Sequence, residues 1–166
     1  MLITIAIVFR NEKTNLPGLL DSLADVITDE MKGSFQFLFI DNDSSDDSSQ
    51  LLRDWICASK FKNSKIIKRS RNNMGEARQQ ALIETLSPWL VFLDADARVQ
   101  AHWAEGVLAA TGQLDSTVVC VGGMEKSYGH KSWHHYAKGL SDYFPLGKSV
   151  HEKRRVKHVP TNNCLI

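Results

Sequence analysis

Two aspartates one residue apart, Asp94 and Asp96, follow directly on the apolar run of "WLVFLDADARV". Carboxylates at i and i+2 just past a strand, where the backbone leaves the regular pleat, can both turn toward one hard cation such as Mg2+ or Mn2+. Such an ion keeps positions open for phosphate oxygens. It also makes a diphosphate a better leaving group, because it offsets the charge that builds up as the bond breaks. A lone D-x-D is a weak signal, since the same acids serve as helix caps or as solvated surface.

Other polar clusters stand at comparable places. "FRNE", Phe9 to Glu12, ends the first apolar run; "IDNDSSDD" carries Asp41 and Asn42 past the second; and "NNMGEAR" brings Gly75 and Arg78 to the start of a helical stretch. Each has a structural reading when taken singly. Asn11 and Glu12 suit a turn and a cap, the Asp/Ser run suits a helix N-terminus whose dipole favours anions, and Arg78 suits an ion pair with a nearby acid. Their order along the chain raises the functional reading.

The elements that must position them follow from periodicity. Apolar runs of strand length occupy 2–9, 35–40, 65–67 with their flanks, 89–93 and 117–121. Leu16, Leu19, Leu20, Leu23, Val26 and Ile27 recur at helical steps and form one stripe that must pack on a sheet. Pro17 sits in that helix's first turn, where a missing N–H does no harm. "SSDDSS" supplies cap oxygens for a second helix containing Leu51, Leu52, Trp55 and Ile56. A third helix spans about 74–86, stopped before Pro88, and a fourth spans about 101–111, ending near Gly112. Strands alternating with helical crossovers predict an α/β fold with a mostly parallel sheet covered on both faces. In such sheets ligands gather outside the carboxyl ends of the strands, where all these polar clusters fall.

Composition bounds the class without naming it. The chain has 166 residues, enough for one domain with a sizeable core. With 20 Lys+Arg against 19 Asp+Glu, the net charge of +1 gives no reason to expect nucleic acid as a partner. Cys57, Cys120 and Cys164 form no C-x-x-C pair and fit free thiols in a reducing, cytoplasmic setting. The apolar start "MLITIAIVF" is too short to span a bilayer and lacks a basic flank, so it reads as a buried strand and not as a leader. No other run reaches transmembrane length.

Together, "ITIAIVFRNEKTNLPGLLDSL", "FLFIDNDSSDDS", "RNNMGEARQQAL" and "WLVFLDADARV" resemble the N-terminal, nucleotide-sugar-binding part of a family-2 glycosyltransferase of the GT-A fold. The matches fill most of residues 2–110 in the family's order. The resemblance implies that Phe9, Arg10, Asn11 and Glu12 line the nucleotide pocket, with Arg10 standing where an aromatic ring is common; a guanidinium plane can also stack on a base. It implies that Asp41 and Asn42 recognise the base or ribose, and that Gly75 and Arg78 meet the phosphates at a helix start. Asp94 and Asp96 match the family's metal motif, with Asp96 the direct ligand and Asp94 toward the ribose or a metal-bound water.

The implied activity is transfer of a sugar from a nucleoside-diphosphate donor, a UDP-sugar first, to a glycan or lipid-linked glycan, with Mg2+ or Mn2+ and with inversion. A peripheral place at the inner face of a membrane is compatible with such an acceptor. The whole chain, 1–166, reads as one such domain lacking the acceptor-side part. The catalytic base is expected beyond Ile166, since Glu125, Asp142 and Glu152 do not match it. Asn162 and Asn163 in "VPTNNCLI" match the segment near the donor sugar or acceptor.

The alternative is a noncatalytic domain that binds nucleotide sugar or a partner. A haloacid-dehalogenase-type phosphatase would want its aspartate after the first strand, and a nucleotidyltransferase a glycine-rich loop there; the chain has "FRNE". A short helix is expected at 132–143. His130, His134 and His135 show no zinc spacing and read as surface or packing residues. The basic run 151–158 reads first as a solvated loop, with contact to an anionic acceptor as the sharper option.

Overall fold

In "ITIAIVF" the side chains of Ile3, Ile5, Ile7 and Phe9 leave one face of the strand and those of Ala6 and Val8 the other, and both sets are buried. A strand with two buried faces must lie inside a sheet covered on both sides. The computed structural model, which describes residues 2–59, 61, 63–113, 121–122 and 164–166, shows that arrangement. Glu125, the histidines at 130, 134 and 135, the helix expected at 132–143 with Asp142, the basic run 151–158 with Glu152, and Asn162 and Asn163 lie outside the described residues. So does the strand expected at 117–121, apart from Val121.

The chain runs β1 (Ile3–Phe9), α1 (Leu16–Val26), a 3-10 turn (Lys32–Ser34), β2 (Phe35–Asp41), α2 (Ser48–Ala58), β3 (Ser64–Lys68), α3 (Met74–Glu84), β4 (Trp89–Asp94), α4 (Trp103–Gln113), β5 (Val121–Gly122) and β6 (Cys164–Leu165). The sheet order is β3-β2-β1-β4-β6-β5. β3, β2, β1 and β4 are parallel, as expected, while β6 pairs antiparallel with both β4 and β5. A two-residue strand carries no periodicity to read, so β6 was not expected. The fourth helix runs one residue past Gly112, because a glycine inside a helix weakens it without ending it. No helix among the described residues is long and apolar enough to cross a membrane.

The two faces are packed differently. On one, Leu16, Leu19, Leu20 and Leu23 of α1, Leu52 of α2 and Ala104 of α4 cover Ile3, Ile5, Ile7, Phe37, Phe39 and Leu93. Near the β3 edge this layer is aromatic, with the Phe37 and Phe61 rings 5.0 Å apart and nearly perpendicular. On the other face, α3 lies on Ala6, Val8, Leu38, Ile40, Leu90 and Phe92 through two fully buried alanines, Ala77 and Ala81. Small residues let the helix backbone come close to the sheet, and that closeness carries its N-terminus to the polar edge.

That contact is the tightest constraint on α3. Ala81→Leu is expected to lower unfolding stability by about 1–3 kcal/mol through overpacking. Ile83→Ala, at a position 71% exposed, should stay within roughly 0.5 kcal/mol of the parent. Urea denaturation of the two variants checks both.

Candidate functional site

Parallel register sets the level of the polar edge. Phe9 stands opposite Asp41 in β2, and Val8 opposite Asp94 in β4. From β1 the chain steps outward through β2 and β3, then returns to β4 on the other side of β1. The crevice between the ends of β1 and β4 is therefore a topological switch point, where open α/β sheets bind ligands.

The loops after β1 and β2 are stitched together. Asn11, in the left-handed region at φ 56, accepts at Oδ1 from the Ser45 N–H at 2.8 Å. The Asn11 N–H donates to Ser44 Oγ at 3.0 Å, the Glu12 N–H to Ser48 Oγ at 2.9 Å, and the Lys13 N–H to Asp46 at 3.2 Å. Asn tolerates this backbone better than most residues because its short amide can bond locally. Of the serines and aspartates expected to cap α2, Asp46 does so, its Oδ1 accepting from the Ser48 N–H at 3.0 Å, while its other oxygen and the hydroxyls of Ser44 and Ser48 serve the neighbouring loop. Asp47, the α2 N-cap, makes no side-chain cap bond.

Asp41 and Asn42 are both fully buried, and because side chains alternate along a strand they leave opposite faces. Asp41 accepts from the Ser44 N–H at 2.7 Å and from the Ser49 hydroxyl, which ties the loop to α2. Asn42 turns to the α3 side, donating to Asn72 Oδ1 at 3.0 Å and accepting from the Asn73 N–H at 3.0 Å. Asn73 is the α3 N-cap and accepts from the Glu76 N–H at 3.2 Å. Arg69, just past β3, holds the same turn through Glu76 at 2.6 Å and Gln80 at 3.2 Å. These two side chains brace the edge from beneath, and Phe9 likewise sits in the core, offering the edge its carbonyl, which accepts from the Asn42 N–H at 2.8 Å. Arg10 is exposed, its Nε donating to the Asp43 carbonyl at 3.3 Å.

The accessible chemistry lies across the switch point. Burial pushes the Asp94 carboxyl above its ordinary range; the Arg78 guanidinium opposes this, while the charges of Asp96 and Glu12 add to it. Arg78 stands 3.7 Å from Asp94, too far for a tight pair, and loses to burial and the two acids. Asp96 is exposed on the turn closed by the Ala97 N–H to the Asp94 carbonyl at 3.0 Å. Gly75 lies exposed in the first turn of α3, among the N–H groups that a helix leaves without intrahelical partners. A methyl built on Gly75 would meet only Asn73 Oδ1, at an ordinary 3.5 Å, so the fold itself does not demand glycine there.

These residues fit a hard divalent ion. The donors are carboxylate oxygens, and the cation acting on Asp94 is Arg78. Among the described residues no three His, Cys, Asp or Glu side chains converge tightly enough to hold a metal by themselves. An ion here would draw its remaining ligands from water and phosphate, as Mg2+ commonly does. The structure thus gathers Glu12, Arg78, Asp94 and Asp96, with Gly75 at the adjacent helix start. The bracing roles of Ser44, Ser48, Asn72 and Asn73 were not foreseen. The clustering of short polar residues just past strands was the available signal.

The family model for glycosyl transferase family 2 matches residues 4–164. The chain belongs to this family. Among solved structures, residues 1–349 of S. aureus TarS share 19% identity at a TM-score of 0.65, over 80% of this chain and 38% of that one. TarS has been solved with UDP-GlcNAc. The mannosyltransferase PcManGT from Pyrobaculum calidifontis, solved with GDP-Man and Mn2+, shares 20% identity at a TM-score of 0.65, over 75% of this chain and 36% of that one. GalNAc-T7, solved with UDP, GalNAc and Mn2+, shares 22% at a TM-score of 0.53, over 61% and 19%. No curated protein matches the chain. The family's GT-A fold is the one found here, and the chain spans less than two-fifths of the length of each of these structures.

A folded-state shift upward means that Asp94 favours the fold below its ordinary value of 3.8 and opposes it as pH rises and the carboxyl ionises. Asp94→Asn, which mimics the protonated side chain, is therefore expected to raise the urea midpoint at pH 7 in metal-free buffer. The gain should shrink as pH falls toward 3.8. Equal midpoints at pH 7 would remove the account of Asp94 as an acid held against the fold's interest.

Proposed function

We propose that residues 1–166 act as one domain that binds a nucleoside-diphosphate sugar at this edge and transfers the sugar, with inversion, to a glycan or lipid-linked glycan hydroxyl. The observation that carries the reading is the under-neutralised acid group Asp94, Asp96 and Glu12 facing the open start of α3 across the switch point. Negative side chains there suit a cation, and free backbone N–H groups suit phosphate oxygens. A diphosphate with Mg2+ or Mn2+ satisfies both.

In this reading Asp96, the exposed acid, is the direct metal ligand, and Asp94 faces the ribose or a metal-bound water. When bound, the ion offsets charge on the departing diphosphate. Gly75 lets phosphate oxygens approach the α3 backbone, a use consistent with the lack of any steric need for glycine within the fold. Arg78 is released from its long contact with Asp94 to meet phosphate. The Arg10 guanidinium offers its plane to the base, with Asn11 shaping the pocket wall. Asp41 and Asn42 set the base end, by direct contact if the loop opens and through the braced loop as it stands. UDP is the first nucleotide to try, since TarS and GalNAc-T7 are solved with it. The cysteine pattern supports a cytoplasmic setting.

Isothermal titration with UDP and GDP, in Mn2+ and in EDTA, tests the binding, and a donor-hydrolysis assay tests turnover. Asp96→Ala is expected to abolish the Mn2+-dependent part of the affinity. Gly75→Ala should weaken nucleotide binding about tenfold while leaving the thermal midpoint unchanged or higher, since alanine is the better helix former by about 1 kcal/mol. A parent protein with no metal-dependent affinity would overturn the proposal. Binding without hydrolysis would favour the noncatalytic domain.

A further inference from the structure

Gly18 occupies the first turns of α1, where an alanine would favour the helix by about 1 kcal/mol, and its backbone is ordinarily helical. Conformational freedom therefore does not account for it. Space does: a methyl built on Gly18 would stand 2.2, 2.3 and 2.4 Å from Nη2, Nε and Cζ of Arg98. By contrast, Gly75 meets only Asn73 Oδ1, at 3.5 Å, and Gly33, Gly106 and Gly112 meet nothing within 4 Å.

The guanidinium lying across Gly18 is anchored on the turn that follows the acid pair. Arg98 Nη1 donates to the Ala97 carbonyl at 2.6 Å and, more weakly, to the Asp96 carbonyl at 3.4 Å. One turn along the same face of α1, Ser22 Oγ accepts from the Val99 N–H at 3.1 Å. Residues 96–99 are thus held to α1, while the Ala97 N–H closes the turn back onto Asp94.

We propose that Gly18 and Arg98 are positioning residues for the acid pair: the missing side chain at Gly18 seats the Arg98 guanidinium, which fixes the turn carrying Asp94 and Asp96. The proposal rests on the reading of that pair as the metal and diphosphate site. A preset turn spares the ligand the ordering of loop backbone on binding. A methyl at position 18 pushes the guanidinium aside, an easy move for the far end of a long side chain. The effect therefore falls on the turn more than on the fold.

The test is a cycle of Gly18→Ala, Arg98→Ala and the double variant, each read by UDP titration in Mn2+ and in EDTA and by thermal midpoint. Each single variant is expected to weaken UDP about tenfold in Mn2+, the equivalent of one charge-assisted hydrogen bond, and to leave the affinity in EDTA unchanged. The double variant should bind no worse than Arg98→Ala alone. Gly18→Ala should raise the midpoint once Arg98 is gone, and should not raise it while Arg98 is present. Additive losses, or a Gly18→Ala variant with parental affinity in Mn2+, would overturn the proposal. If the parent shows no Mn2+-dependent affinity, the site reading fails by itself. The midpoints then still decide whether the two residues compete for the same space.

Discussion

The polar edge depends on the bond from the Ser45 N–H to Asn11 Oδ1. One amide oxygen, on a residue held in the left-handed region, ties the loop after β1 to the loop after β2. Ser44 and Ser48 return the contact by accepting the N–H groups of Asn11 and Glu12. A loop at a sheet edge carries backbone groups with no ladder partner. Here they are satisfied by side chains of the adjacent loop and not by water alone. The loop so tied carries Glu12, whose carboxylate accepts from the Asn15 amide at 2.7 Å and whose charge acts on Asp94.

The second constraint is electrostatic and runs the other way. Asp41 is fully buried yet each of its oxygens has a donor, so it serves the fold. Asp94 is only partly buried but has one distant cation and two like charges around it. A partly desolvated acid without a close partner works against stability, and such groups concentrate where a ligand supplies the missing charge. The two aspartates share a position at strand ends, yet one is fully partnered within the fold and the other is not.

Much of this was legible in the sequence, for identifiable reasons. The runs at Ile3–Phe9 and Phe35–Asp41 are long and almost purely apolar, and the leucine stripe of α1 keeps strict helical spacing, so β1, β2 and α1 were readable. β6 was not, because its place is decided by pairing with β4 and not by its own pattern. The serines after Asp41 read as caps because local rules see only the helix that follows. Their partners lie in a loop more than thirty residues earlier. Arg98 over Gly18 was invisible for the same reason: neither residue's neighbours in the chain hint at the contact. The place of the acid pair, Gly75 and Arg78 at one edge of the sheet was legible from their order along the chain; the side chains that brace that edge were not.

The long separation of the stitched loops bears on how the protein matures. The bonds of Asn11 span 33 to 35 residues, so none can form before β1 and β2 have met in register. A slip of one residue would turn Asp41 to the face of Asn42 and unmake the whole set. The edge thus closes only on a correctly paired sheet. The set of bonds at the edge is therefore a signature of correct pairing between β1 and β2.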